Sequence, residues 1–248
     1  MPPERLIELE SSWNFRDLGG YAGAGGRPVR WRTLFRSDGL FRLTPDDQIR
    51  LAGLGLRTVI DLRTPAELED LGRIPWPDDD LAFHHLPLID VLPPQDTYGE
   101  EWAKPATVAA QYGAILASGS KAITSAIDVL CDPASYPLVY HCYVGKDRTG
   151  ILSAVVLDAL GVAHDEIVAD YVLSEDAMRR MMEWVAENQP ELAKSLESAT
   201  AAIVAAAPET MERFLEDFDE RYGGAEGYLR SVGRPDAGTR LRGLLLEP

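Results

Sequence analysis

Cysteine is scarce: Cys131 and Cys142 are the only two in 248 residues. Two thiols do not make a disulfide framework in a chain of this size, and no Cys-x-x-Cys pair offers a structural zinc site. A reduced, cytosolic thiol setting is the simpler expectation. Histidine is also scarce, with four in all. His84 and His85 are neighbours in an apolar run, and adjacent strand side chains point to opposite faces, so the two do not readily share one ion. Neither a metal nor a cofactor is expected. Positive charge is short as well: 24 Lys and Arg against 40 Asp and Glu, a net charge of -16. That balance argues against nucleic acid, whose phosphates need local positive charge, and against docking on anionic bilayers. A phosphate pocket is still allowed, because a pocket obeys the few groups that line it. Long apolar runs are missing too. None approaches the roughly 20 residues that span a bilayer, so no stable membrane anchor is expected. MPPERLIELESS has no basic segment followed by an apolar run and does not read as a signal peptide. The expected location is the cytoplasm, or outside by a route without such a signal. No repeat or low-complexity linker is present, and Ala199–Ala207 is helical in character.

What the chain does have is core material: 46% of its residues are hydrophobic, enough for one domain over 1–248. Arg57–Leu62, Leu81–Leu88 and Pro137–His141 read as strands, with Thr33–Arg36 as a fourth. Helical segments lie between them: from Thr44-Pro45-Asp46 to Gly53 or Gly55, Lys121–Leu130, and Ile151–Leu160 with Gly161 at the C-terminal cap. Thr64, Pro65 and Glu67 read as an N-cap, first position and first turn of another. Alternation of this kind predicts an α/β fold, a central mostly parallel sheet flanked by helices. From Asp165 onward the pattern is helical. Met178, Met181, Met182 and Val185 recur at helical spacing, Pro190 and Pro208 open further segments, and Gly223-Gly224 breaks the last. The methionine stripe has two readings: ordinary core, or a helical lid insertion over 174–207, since methionine faces repack easily.

In parallel sheets ligands bind at the carboxyl ends of strands, so the turn after Pro137–His141 is the first place to look. It reads His141-Cys142-Tyr143-Val144-Gly145-Lys146-Asp147-Arg148-Thr149-Gly150. A strand, a tight loop and a helix N-terminus make an anion site, because unpaired N–H groups and the helix dipole converge there. Gly145 permits a turn other residues resist. Arg148 offers a planar fork matched to two phosphate oxygens. Tyr143, Val144, Gly145, Lys146, Asp147 and Arg148 are therefore the candidate substrate-binding residues. Cys142 opens the loop, and the surroundings that bind phosphate also favour a thiolate. Cys131 reads as inert packing.

The loop resembles the H-C-x-x-G-x-x-R-[ST] signature of the cysteine-dependent protein tyrosine phosphatase superfamily. Its fuller form HCYVGKDRTG is similar to the bacterial, PtpB-like branch, which acts on phosphotyrosine, phosphoserine/threonine and phosphoinositides. Trp13-Asn14-Phe15-Arg16-Asp17, Leu34-Phe35-Arg36-Ser37, Asp61-Leu62-Arg63, Asp170-Tyr171 and Gly227-Tyr228-Leu229-Arg230 extend the resemblance over most of the chain. It implies a phosphatase in which Cys142 attacks phosphorus and water then releases phosphate. Arg148 and the loop amides would hold the equatorial oxygens. Thr149 would donate to the departing thiolate, and His141 would support the loop, simple packing being the alternative for it. The leaving group needs a proton donor. Asp90, after the strand Leu81–Leu88, is the first choice by its match to the family's L-P-x-x-D segment. Asp147 is the rival, as acid, orienting group or substrate contact, and Asp96 a weaker third. Lys146 is expected at the exposed mouth, where it could meet a second phosphate of a phosphoinositide. Arg16, Asp17, Arg36 and Arg63 could form ion pairs under the loop, and solvated or structural pairing is the first reading.

Two other readings keep the loop. One is a catalytically silent phosphate-binding module, against which the presence of both Cys142 and Arg148 argues. The other is sulfur or arsenate chemistry, disfavoured by Thr149 directly after Arg148. A phosphorylated protein or phosphoinositide is the expected partner; the sequence does not address oligomeric state.

Overall fold

The computed structural model describes residues 4–76, 80–92, 104–196 and 204–248. Five strands form one sheet in the order β1-β2-β5-β3-β4: β1 (Arg16–Asp17), β2 (Leu34–Ser37), β3 (Thr58–Asp61), β4 (Ala82–His85) and β5 (Leu138–His141). β2, β5, β3 and β4 run parallel; β1 is an antiparallel edge on β2. The register places Phe35, Val139 and Val59 side by side across the three central strands. With a side-chain period of two, this row faces one side and Leu34, Ile60, Leu138 and Tyr140 face the other. Both sides are buried, as a parallel sheet requires.

Phe35, Val139 and Val59 pack with Phe15, Ile74 and Leu51, the last on α1 (Pro45–Gly53); α2 (Pro65–Leu71) follows β3. The opposite row packs on α4 (Ser120–Leu130) and α5 (Asp147–Ala159). Around α5 stand α3 (Pro105–Ser118), α6 (His164–Asn188), α9 (Gly224–Ser231) and α10 (Ala237–Leu245). α7 (Pro190–Leu196) and α8 (Pro208–Tyr222) both pack on α6. α1 and α2 each start with a full capping box, Thr44 with Asp47 and Thr64 with Glu67, and a proline in the first turn.

The α/β architecture is the expected one, with differences at element ends. The strand expected over Leu81–Leu88 pairs only from Ala82 to His85, because Asp61 ends its partner strand. The helix expected at Ile151–Leu160 starts at Asp147, with Lys146 as its N-cap. Arg148 and Thr149 therefore lie in its first turn, not in a preceding loop. Of the stretch 174–207, residues up to 188 are the second half of α6. Met178 and Met181 are buried there in a cluster with Trp13, Val144 and Val204. Residues 197–203 and Asp96 lie outside the described residues.

Candidate active site

The segment from Cys142 to Lys146 curls between the end of β5 and the start of α5, and its carbonyl groups are tethered outward. Gly39 N donates to Tyr143 O at 2.9 Å. Asn14 Nδ2 donates to Val144 O and Gly145 O, each at 3.1 Å. Arg36 Nη2 donates to Gly145 O at 2.8 Å. A trans peptide sets the next N–H opposite to its carbonyl. The N–H groups of Val144, Gly145 and Lys146 are thereby turned to the inside of the curl, and Gly145 N reaches Cys142 Sγ at 3.3 Å. The first turn of α5 adds N–H groups with no helical partner. Gly145 has φ +69°, and a side-chain carbon there would lie 2.5 Å from the Ser37 carbonyl oxygen. Only glycine fits this turn. Cys142 sits at its floor, fully buried.

The tethers rest on a buried charge network. Asp170, on α6, accepts from Arg16 Nε at 2.9 Å, Arg36 Nη1 at 2.5 Å and the Tyr21 hydroxyl at 3.1 Å. Burial alone would raise the Asp170 carboxyl, but Arg16 and Arg36 hold it well below the usual carboxylate range. Arg16 also donates to Asn14 Oδ1, which orients the amide that grips the loop. Asp38 accepts from Trp13 N and Asn14 N at 3.2 and 3.1 Å and fixes that segment. Arg16 and Arg36 are thus structurally paired, through an aspartate the sequence reading had not matched to them. Asp17 instead accepts from Gly19 N and Arg32 N. Arg63 pairs with Asp61 at 2.7 Å. His141 lies 3.8 Å from the same Asp61 and sets Nδ1 3.0 Å from Cys142 O. Burial, partly opposed by Asp61, keeps its imidazole below the ordinary pKa.

Arg148 is buried, and its fork is held by Glu67 on α2: Nη1 to Oε2 at 2.5 Å and Nη2 to Oε1 at 2.9 Å. Burial works against the Arg148 charge, but Cys142, Glu67 and Asp147 together raise its pKa above the ordinary value. Two of a guanidinium's five N–H groups meet Glu67 in that geometry, leaving others for a ligand. Glu67 is the site residue that the sequence reading missed in this role. Its capping-box position was visible; its partner stands 81 positions away.

Lys146 departs from expectation. It is 4% exposed, not open at the mouth. Its ammonium donates to Ala205 O at 2.9 Å, so the backbone beyond α7 covers it. Asp147 is half-buried: Tyr112 on α3 donates to its Oδ1 at 2.5 Å, and Lys146 Nζ lies 3.9 Å away. Thr149 Oγ1 is buried without a hydrogen-bond partner among the described residues. Tyr143 rests on the Phe41 ring. Cys142, Arg148, Asp147, Thr149, Lys146 and His141 are thus gathered at one strand–helix junction. Asp90 is exposed, in the turn after β4.

Cys131 is buried apart from this group, and burial raises its thiol pKa. Asp158, His164 and Asp219 bring ligand-type atoms within 4.8 Å of one another. Asp158 is about 16 Å along α5 from the loop, at 1.5 Å per residue. No helix among the described residues is long and apolar enough to cross a membrane.

The profile of a tyrosine phosphatase family matches residues 7–247. The triple specificity protein phosphatase PtpB of Mycobacterium tuberculosis is 31% identical over 96% of this chain and 98% of its own length. A Cupriavidus necator protein, provisionally named a tyrosine-protein phosphatase, is 32% identical over 96% of this chain and 87% of its own. A tyrosine-protein phosphatase of Nostoc commune is 28% identical over 80% of this chain and 68% of its own.

Proposed function

The chain belongs to the tyrosine phosphatase family, and we propose that it hydrolyses phosphate monoesters through a phosphocysteine at Cys142. Phosphatase activity follows from the family; the route and the finer substrate range are our reading. The observation that carries it is Gly145 N donating to Cys142 Sγ at 3.3 Å in a loop whose carbonyls are tethered outward. Inward N–H groups suit a phosphoryl group and the charge of the transition state alike.

The Cys142 sulfur attacks phosphorus, the S–P bond forms and the P–O bond to the alcohol or phenol breaks. Asp90 supplies the proton to the departing oxygen. Water then attacks phosphorus, the S–P bond breaks, and the thiolate returns with the Thr149 hydroxyl donating to it. Amides of 143–148 and the free N–H groups of Arg148 bind the phosphoryl oxygens. Because Cys142 is fully buried and Lys146 is pinned by Ala205 O, the stretch 174–207 serves in this reading as a lid that shifts to admit substrate. Residues 1–248 act as one catalytic unit. The chemistry needs a reduced Cys142, so a reducing, cytoplasmic setting belongs to the proposal.

Phosphotyrosine is the first substrate class. Phosphoserine, phosphothreonine and phosphoinositides come second, the last on the strength of Lys146 in the loop. Initial rates on p-nitrophenyl phosphate and on an alkyl phosphate test the scheme. Cys142→Ser should abolish both, a loss of at least roughly 10⁴-fold given what a nucleophile supplies. Asp90→Ala should depress the alkyl ester far more than the nitrophenyl ester, whose leaving group needs no proton. Equal losses on both remove Asp90 from the acid role; retained activity in Cys142→Ser removes the phosphocysteine.

A further inference from the structure

Behind the loop, two buried phenols and a carboxylate form a line that the reaction above does not use. Tyr112, on α3, is 1% exposed and sits edge-on to Tyr171 of α6 and Phe214 of α8. Its oxygen lies 2.5 Å from Asp147 Oδ1 and 2.9 Å from the Tyr171 hydroxyl oxygen. A phenol has one hydrogen to give. An ionised carboxylate only accepts, so the Tyr112 hydrogen goes to Asp147 and the Tyr171 hydrogen goes to Tyr112. Both O–H dipoles then point the same way, toward Asp147. Chained hydrogen bonds of this kind strengthen one another in a poorly solvated interior. Burial first, then Asp147 and Tyr171, push the Tyr112 phenol well above its ordinary pKa, so it stays a donor.

We propose that Tyr112, backed by Tyr171, is a positioning residue that fixes Asp147 as a proton acceptor for the water of the second step. The Tyr112 hydroxyl fixes where Oδ1 points, so Oδ2 is the oxygen left to meet a water. The Asp147 side chain is 38% exposed, so it remains open to water while Oδ1 is held. Lys146 Nζ at 3.9 Å and the Arg148 guanidinium are cations that face it. In the second step a water proton passes to Asp147 as the water oxygen bonds to phosphorus and the S–P bond breaks. Asp147 later loses that proton to solvent. This separates the two acids that sequence left in competition: Asp90 gives a proton in the first step and Asp147 takes one in the second. The inference rests on the phosphocysteine route.

Rapid mixing with p-nitrophenyl phosphate tests it. Nitrophenolate released in the first turnover reports S–P bond formation, and the steady rate reports phosphocysteine hydrolysis. Tyr112→Phe, which keeps the ring contacts, should lower the steady rate about tenfold while sparing the first turnover, the loss expected for a hydrogen bond to a charged group. The ratio of burst rate to steady rate should rise by the same factor, equally for leaving groups of any acidity. A loss in the first turnover, or one that grows with leaving-group basicity, overturns the proposal. So does an unchanged ratio. Asp147→Asn should give the same signature and carries the test should Tyr112→Phe fail to fold. If Cys142→Ser still turns over, the phosphocysteine route fails instead, and the two failures are told apart.

Discussion

Two guanidinium–carboxylate assemblies flank the loop, and they differ in what they leave free. Asp170 is 1% exposed, and both its oxygens are taken by Arg16, Arg36 and Tyr21. The Arg36 nitrogen not spent on Asp170 holds Gly145 O. That assembly is nearly closed: among the described residues only Arg36 Nε is left without a partner, and the other donors serve the scaffold. Glu67 and Arg148 are 8% and 7% exposed and meet in a two-toothed contact at the rim of the same curl. That assembly is open: Glu67 takes two of the five N–H groups of the fork and leaves the others to spare. The same ion-pair chemistry therefore builds a fixed frame on one side and an aimed tool on the other. The difference lies in how completely the donors are used.

The sharpest way to break this contrast is to open the closed side. Asp170→Asn leaves Arg16 and Arg36 buried with no countercharge, which should destabilise the fold by about 3–5 kcal/mol, the range for breaking a buried pair. Urea unfolding measures the loss, and activity should fall with it because Gly145 O loses its anchor. The sign of the pH dependence follows from the depressed Asp170 carboxyl. A group held below its unfolded value contributes stability that is complete above the unfolded pKa of about 3.9 and fades as pH falls below it. The wild type should thus lose this share of its stability only on acidification below about pH 4, and Asp170→Asn should lack that component. A variant as stable as wild type at neutral pH would show that the frame does not depend on its anion.

Glu67→Gln probes the open side, with a smaller effect. Glutamine can still complete the capping box of α2, so the helix keeps its start. What is lost is the charged half of the contact that aims Arg148. We expect kcat/KM to fall about tenfold and inhibition by inorganic phosphate to weaken similarly, in line with a charge-assisted hydrogen bond. The melting temperature should stay close to wild type. If Glu67→Gln unfolds as Asp170→Asn does, with normal kinetics in what remains folded, both assemblies are frames and the contrast collapses.

Legibility in the sequence follows the same divide. Whatever depends on neighbours along the chain could be read: the strand Leu138–His141, the turn at Gly145, the arginine at 148, the caps at Thr44 and Thr64. Strand ends could not, since the apolar run Leu81–Leu88 continues past the point where its partner stops at Asp61. β1 escaped notice because two charged residues, Arg16 and Asp17, carry no alternation. α3 was missed although Pro105 marks its first turn. Pairings across the fold left no local trace. Arg16 meets Asp170 at 154 positions' distance. Lys146 was misplaced for the same reason: a lysine is exposed by default, and only the tertiary arrangement brings the Ala205 carbonyl over it.

That lysine offers the finest test of the contrast, because it belongs to neither assembly. Its ammonium donates to a backbone carbonyl at 2.9 Å and lies 3.9 Å from the Asp147 carboxylate, and a phosphate oxygen can compete with the neutral carbonyl more easily than with a carboxylate. If substrate displaces Ala205 O, Lys146 becomes a second anion contact at the mouth, and a substrate with two phosphates gains most. Lys146→Ala should then reduce hydrolysis of a bisphosphorylated inositol lipid severalfold more than that of a phosphotyrosine peptide, a difference of about 1 kcal/mol for one contact of this kind. Parallel losses on the two substrates would assign the lysine to holding the 204–207 backbone in place, making it a third piece of frame. Unequal losses in the expected direction would place it with Arg148, among the groups whose donors are kept for the ligand.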